Sequence, residues 1–319
     1  MQVSVVMAVW NGERFVADAI ASVLAQTHSR LELVVVDDGS TDSTPAILSR
    51  LAADTRLRVL RQANAGAAAA RNAGLAAARH EWAFNLDADD LMLPDRIERQ
   101  LSFIAAHPAV RVVAARAGYI NERGGGRGLG RTALPPLTTP AAFHERAAAG
   151  EAIGLCHSTL AFHRPTILSL GGYRRQFRGA EDTDLWGRVA DAGHLILAQD
   201  AVVGSYRLHA GSLMAADGRA MWRQHYWMQR CREARRRGGP EPTQAEAMAM
   251  LAAEPWAKRL DRERRLQGRM AYRRAGVSAS LGQPLRAGLD LALATLLQPG
   301  YALPRLLSQL DVRRLARSA

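Results

Sequence analysis

The chain has 319 residues, 48% hydrophobic, 23% charged and 6% aromatic, which supplies enough apolar material for a sizeable core and excludes a disordered polymer. No run approaches the roughly 18 consecutive apolar residues of a membrane span, which excludes a polytopic protein, and two cysteines, Cys156 and Cys231, exclude a disulfide framework and lack metal-ligand spacing. The formal charge of +12 sits wholly at one end: residues 219–319 hold 20 basic against 8 acidic side chains, whereas residues 1–218 balance at 22 against 22.

The first half alternates apolar runs with helix-like segments, the pattern of a mainly parallel sheet covered by helices. Val3 to Val9 reads as a strand buried on both faces and not as a signal peptide. Phe15, Ala19, Ile20, Val23 and Leu24 then recur at helical spacing. Leu31 to Val36 is a second strand ending at Asp37 and Asp38; Ser43, Thr44 and Pro45 open a helix. A third strand over Leu57 to Leu60, a helix over Ala65 to Arg79, a fourth strand over Trp82 to Leu86, a helix from Pro94 and a fifth strand over Val110 to Ala115 follow. Gly124 to Gly130 with Pro135, Pro136 and Pro140 mark a connection. Residues 153–164 read as an interrupted strand and Glu181 to Ala192 as a helix. The expected organisation is a domain over 1–218 and a basic, mainly helical region over 219–319, without internal repeats.

In such a sheet the loops at the strand C-terminal ends collect ligand-binding groups. Three of these loops are polar: Trp10, Asn11 and Gly12 after the first strand, Asp37 and Asp38 after the second, and Asp87 to Asp90 after the fourth. A single Asp at a strand end is an ordinary turn former or cap. Four carboxylates between Asp87 and Asp95 need a compensating cation, and hard oxygens of this kind suit Mg²⁺ or Mn²⁺ bridging to a diphosphate.

The succession VSVVMAVWNGERFVADAIASVLAQT, LELVVVDDGSTDST, NAGAAAARNAGLAAA and WAFNLDADDLMLPDRI resembles the N-terminal half of family-two inverting glycosyltransferases of the GT-A fold. The resemblance continues through LGGYRRQFRGAEDTDLWGRVADAG to YRLHAGSLM and so covers residues 2–214. It implies donor contacts from Ala8, Trp10, Asn11, Asp37, Asp38, Arg71, Asp87 and Ala88. Within that set Trp10, where the family often has tyrosine, lies on the nucleobase; Asp38, ahead of Asp37, accepts a hydrogen bond from the base; and Asp87 faces the ribose. Ala8 stands where proline or threonine is usual, which removes one small contact. Arg71 and Asn72 approach the nucleotide, and Arg71 reads equally as a salt-bridged scaffold residue. Asp89 and His209 are the implied protein ligands of a Mn²⁺ or Mg²⁺ ion, and Asp90 reads equally as a contact and as a loop carboxylate ahead of Pro94.

By the same resemblance Asp182 of GAEDTDLW is the base, Glu181 and Arg207 are acceptor-side or orienting residues, and Asp184 lies on the helix surface. Arg174, Arg175 and Arg178 either meet an anionic acceptor or stay solvated. The implied activity is metal-dependent, inverting transfer from a nucleotide-sugar donor, usually a UDP-sugar, to a saccharide or lipid-linked acceptor in polysaccharide or glycoconjugate synthesis. Two rivals are weaker. A sugar nucleotidyltransferase wants a glycine-rich basic loop after the first strand, where WNGERF has one glycine. A nucleic-acid-binding protein would use the basic tail, whose aromatic residues are scattered; no nucleic-acid partner is expected.

Leu285, Leu289, Leu293, Leu296 and Leu297 recur at helical spacing in the tail, with Arg305, Arg313, Arg314 and Arg317 beyond them. This is either a core-packing stripe or a surface-lying helix on an anionic membrane. The expected location is cytoplasmic, with peripheral contact at the inner membrane face as the second reading.

Overall fold

A computed structural model of the chain describes residues 1–125, 130–209 and 218–315. Part of the glycine-rich connection, the end of the YRLHAGSLM block and Arg317 lie outside the described residues. The chain forms two compact units, one of Met1–Ala117 with Leu134–Tyr206, the other of Gly118–Ala133 with Arg207–Ala319.

The first unit is built on an eight-stranded sheet of order β3-β2-β1-β4-β7-β6-β8-β5. Its strands are β1 (Val3–Val9), β2 (Leu31–Asp37), β3 (Leu57–Arg61), β4 (Trp82–Asn85), β5 (Leu91–Met92), β6 (Val110–Ile120), β7 (Ala161–His163) and β8 (Leu195–Arg207). The first four are mutually parallel, with Val3 opposite Leu31 and Trp82, so the C-terminal ends of β1, β2 and β4 share one edge. β7 pairs antiparallel with both β4 and β6.

The helices are α1 (Val16–Leu24), α2 (Thr44–Leu51), α3 (Ala67–Ala77), α4 (Arg96–Ala106), α5 (Pro140–Ala148), α6 (Arg164–Ser169) and α7 (Glu181–Asp191). Alternation along β1 sorts them. Val3, Val5, Met7 and Val9 pack into one core with Val16, Ile20 and Val23 of α1, Leu48 of α2 and Ile97 and Ile104 of α4. Val6 points the other way, into a core with Leu75 of α3, Ile167 of α6 and Leu185, Trp186 and Val189 of α7. Both faces of the parallel half are thus covered, which is why its central strands read as mainly apolar runs. α3 lies close on the sheet because Gly74 has no side chain: a Cβ there would sit 2.5 Å from Val6 Cγ1.

The expected strands of the first half are present, and the fold is the α/β arrangement read from the sequence. The interrupted strand over 153–164 is a 3₁₀ turn (His157–Thr159) leading into the three-residue β7. β8 and α5 were not anticipated from the sequence.

The second unit is mainly helical: α8 (Gly218–Arg236), α9 (Gln244–Ala252), α10 (Trp256–Ser280), α11 (Pro284–Leu297) and α12 (Pro299–Leu315). Thr243 and Glu246 form a capping box at the start of α9. Arg219 pairs with Glu263 at 2.6 Å and joins α8 to α10. α10 packs against α11 and α12 through small residues: Ala271, Ala294 and Ala302, one from each helix, are fully buried together, and a Cβ at Gly268 would sit 2.9 Å from Gln298 Cβ. No helix among the described residues is long and apolar enough to cross a membrane.

Candidate active site

Three loops meet at the shared strand edge of the first unit. After β1, Asn11 takes a left-handed backbone (φ 50°) and ties its loop to the one after β2. Its amide donates to Ser40 Oγ at 2.9 Å, and its Oδ1 accepts from the Thr41 amide at 2.9 Å. Gly12 donates to Thr44 Oγ1, and a Cβ on Gly12 would strike Val9 Cγ2 at 2.5 Å and reach Ala88 Cβ at 4.0 Å, so the loop abuts the turn after β4. Trp10 directly precedes these anchored residues, with 58% of its surface exposed. An indole left in water at an anchored loop is unusual for a folded chain, and it offers a flat face to a ligand.

Asp37 and Asp38 are buried at the end of β2 and bonded within the protein. Asp37 Oδ1 accepts from the Ser40 amide at 2.9 Å, and its Oδ2 faces Arg61. Asp38 accepts from Gln62 Nε2 and the Ala65 amide on Oδ1 and from the Gly66 amide on Oδ2, at 2.7 to 2.9 Å. Its three bonds shape the loop before α3, while a carboxylate has about four lone pairs to offer. Ala8, half-buried near the end of β1, lies opposite Val36.

The second cluster is centred on Arg71 of α3, which is buried. Its Nη1 donates to Glu181 Oε1 at 2.8 Å and its Nη2 to Asp87 Oδ1 at 3.0 Å, and the guanidinium lies over the Tyr173 ring. One cation thereby joins the turn after β4 to the start of α7. Burial alone would lower the Arg71 pKa, but the two carboxylates more than offset it and hold the group charged. Burial would likewise raise Asp87; Arg71, His157 and the Ser158 hydroxyl, which donates to Oδ2 at 2.9 Å, hold its carboxyl well below the usual range.

The sign of this linkage is definite. Because Asp87 is depressed in the folded state, its contribution to stability is complete above the unfolded value near about pH 4 and is lost as pH falls through the folded-state value. Asp87→Asn is therefore expected to flatten part of the fall in stability below about pH 4, measured by denaturant unfolding along the acid limb. Parallel curves for parent and variant would contradict this.

Glu181 spends its second oxygen on the Gly179 amide, at 2.6 Å. Asp182 follows, half-buried at the N-terminus of α7, and its Oδ1 accepts from the Thr183 amide (2.6 Å) and hydroxyl (3.2 Å). Those bonds use one carboxylate oxygen. The Asp182, Asp87 and Glu181 carboxylates all act on the buried Tyr173 phenol, whose pKa burial raises first and these charges raise further, against the lowering effect of Arg71.

Asp184, expected on the helix surface, is instead fully buried. Arg174 grips both its oxygens at 2.5 and 2.9 Å, and Arg188 adds a bond at 2.9 Å, so two guanidiniums neutralise it. Arg174 is accordingly a structural partner of α7 and not a solvated loop residue.

Asp87 to Asp90 form a tight turn closed by the Asp90 amide on the Asp87 carbonyl at 3.1 Å. Asp89 is half-buried within it, beside Ala88. The Tyr206 phenol of β8 is half-buried, and desolvation and then the Asp90, Asp89 and Asp87 carboxylates together with Cys156 push its pKa well up. Arg207 and His209 belong to the second unit. There Arg207, buried, donates to the Glu122 and Asn121 carbonyls at 2.9 and 3.4 Å, and His209 is also buried.

One contributing residue, Arg96, carries no sequence signal of its own. Arg96 of α4 is fully buried and donates to the carbonyls of Ser158 (2.5 Å), Asn85 and Leu160 (both 3.0 Å) and to Gln100; burial pulls its pKa down to about 9. It fixes the backbone just before Asp87 and that of the Ser158–Leu160 segment, whose Ser158 hydroxyl bonds Asp87. His157 bridges Asn85 Nδ2 at 2.6 Å and the Tyr173 hydroxyl at 2.9 Å.

The model for glycosyl transferase family 2 matches residues 4–168. The chain belongs to this family. It is 32% identical over 197 residues to EpsE of Bacillus subtilis (strain 168), a glycosyltransferase by name, across 60% of this chain and 68% of EpsE. It is 43% identical over 100 residues to the succinoglycan biosynthesis protein ExoO of Rhizobium meliloti (strain 1021), across 31% of this chain and only 28% of ExoO. Among solved structures it is similar to Staphylococcus aureus TarS 1–349 in complex with UDP, at TM-score 0.56 and 17% identity over 94% of this chain and 91% of that one. It is also similar to the mannosyltransferase PcManGT of Pyrobaculum calidifontis in complex with GDP-Man and Mn²⁺, at TM-score 0.54 and 21% identity over 99% and 82%.

This family-2 glycosyltransferase therefore has the GT-A fold, with its central sheet flanked by helices. Its donor set for a cation is small. Among the described residues no cluster of three or more His, Cys, Asp and Glu side chains is arranged to hold a metal ion. The turn after β4 offers the Asp87, Asp89 and Asp90 carboxylates, of which Asp87 also bonds Arg71 and Ser158. One or two carboxylates fit a Mg²⁺ or Mn²⁺ ion that takes its remaining ligands from water and a substrate diphosphate, and do not fit an ion caged by protein alone.

Proposed function

We propose that this enzyme is a metal-dependent inverting glycosyltransferase that moves a sugar from a nucleotide-sugar donor, a UDP-sugar, to a saccharide or lipid-linked acceptor in cell-surface polysaccharide or glycoconjugate synthesis. The observation that carries the reading is the bridge through Arg71, which sets the carboxylate turn after β4 beside Glu181 and Asp182 at the start of α7. One carboxylate group then faces the leaving diphosphate and another faces the attacking hydroxyl.

In this reading Trp10 stacks on the base, Asp38 and the loop it shapes border the base, and Asp87 faces the ribose. Asp89 would hold Mn²⁺ or Mg²⁺; when bound, such an ion neutralises charge developing on the departing diphosphate. Asp182 takes the acceptor hydroxyl proton on the oxygen that Thr183 does not use, as the hydroxyl oxygen bonds to the anomeric carbon and the glycosidic bond to the diphosphate breaks. Displacement from the opposite face inverts the anomeric centre. Arg71 and Glu181 position Asp182 and Asp87.

Thermal unfolding against a panel of nucleotide sugars with Mn²⁺ tests the donor class: selective stabilisation by UDP-sugars is expected, and no stabilisation by any member would overturn the reading. In the same assay Trp10→Ala is expected to weaken nucleotide binding by roughly 5- to 100-fold, the worth of one base-aromatic stack. Because Trp10 is exposed, the ligand-free unfolding temperature should hold.

A further inference from the structure

The α11–α12 face of the second unit is apolar where a folded chain has no internal reason to be. Leu285, Leu289, Leu293 and Leu296 recur at i, i+4, i+8 and i+11 on one side of α11, and they are 86, 74, 41 and 79% exposed. The opposite side of the helix already packs through buried Ala294, and Asp290, the helix's one acidic residue, is held by Arg274 at 2.9 Å. Leu303 and Leu307 extend the exposed apolar surface onto α12. A shallow groove of about 520 Å³, lined by Gly288, Leu291, Ala292, Thr295, Leu296 and Leu306, adjoins this face at Leu296.

We infer that this face docks on an anionic phospholipid bilayer, with the leucines entering the headgroup–acyl boundary. Charge selects the occupant. Residues 219–319 carry 20 basic against 8 acidic side chains, and Arg286 stands exposed beside the leucine row. A second copy of the chain on this face would bring two such excesses together, whereas an anionic leaflet neutralises them. An apolar row set in a strongly basic unit is the composition of an interfacial helix. The inference is independent of the transfer chemistry.

Flotation of the full chain with vesicles of phosphatidylcholine plus phosphatidylglycerol tests it, with phosphatidylcholine alone as the neutral arm. The protein is expected to float with the anionic vesicles, to be released by salt, and to lose at least about tenfold of its bound fraction in Leu289→Asp/Leu296→Asp, while the unfolding temperature holds. Should that variant unfold, Arg286→Glu, which leaves the apolar row intact, is expected to weaken anionic binding several-fold without change on neutral vesicles. Equal flotation of parent and variants, or no flotation of the parent, would overturn the inference. So would a dimer of the parent that the leucine substitutions split, because a second copy would then own the face. Flotation needs no turnover, so an inactive protein that still floats fails the transfer reading alone.

Discussion

Asp182→Asn is expected to lower the turnover number at least about a hundredfold, with nucleotide-sugar affinity unchanged. The asparagine is isosteric, and its carbonyl oxygen can still accept from the Thr183 amide and hydroxyl as Oδ1 does now, so the start of α7 is preserved. What it loses is the capacity to receive a proton. The position also limits collateral damage: Asp182 is half-buried and bonded locally, whereas Asp184, two residues on, holds Arg174 and Arg188 in the core. Single-turnover transfer together with a separate binding titration separates the outcomes. Unchanged turnover would remove Asp182 from the base role, and a matched loss of binding and turnover would make it a donor contact.

Arg71→Met is expected to destabilise the fold by about 3 kcal/mol, the low end of the cost of leaving buried carboxylates without their cation. Glu181 is 8% exposed at the side chain and would keep only the Gly179 amide; Asp87, at 30%, would keep Ser158 and His157 and recover some hydration, which places the value at the low end. Arg71→Lys keeps the charge but lacks the planar fork that reaches two carboxylates in opposite directions, so it should recover only part of the loss. Denaturant midpoints at neutral pH measure both. A loss under about 1 kcal/mol for Arg71→Met would mean that the bridge does not hold the two loops together. Partial recovery of turnover by the lysine variant, beyond its recovery of stability, is the sign of a positioning role.

The parts of the fold legible in the sequence were those whose burial leaves a local pattern. β1, β2 and β4 are covered on both faces, so Val3–Val9, Leu31–Val36 and Trp82–Leu86 stand out as mainly apolar runs broken only by Ser4, Glu32 and Asn85, and their polar endings mark the ligand-binding edge. β8 escaped because it is only partly buried: Gln199, Asp200, Gly204 and Ser205 interrupt its apolar residues. α5 followed a proline-rich stretch that read as loop, although Thr139 caps it. Asp184 shows the limit for charges. Three acidic residues at a helix start look alike in sequence, and only Arg174 and Arg188, brought in by the tertiary fold, distinguish the buried one. Arg96 and Ser158 act on backbone carbonyls and on Asp87 from 62 and 71 residues away, a partnership without a local signature. The leucine row posed the opposite difficulty, since its spacing is identical whether the face meets a core or stays outside.

The antiparallel placement of β7 has a consequence for how the protein is made. β4 is an interior strand of the finished sheet only because β7 pairs along its far side, Phe84 opposite Ala161 and Trp82 opposite His163. On the ribosome, that partner emerges roughly 75 residues after β4, a delay of about 4–15 s at ordinary elongation rates. Throughout it the nascent β3-β2-β1-β4 ribbon presents an open hydrogen-bonding edge, the kind of surface at which chains mispair.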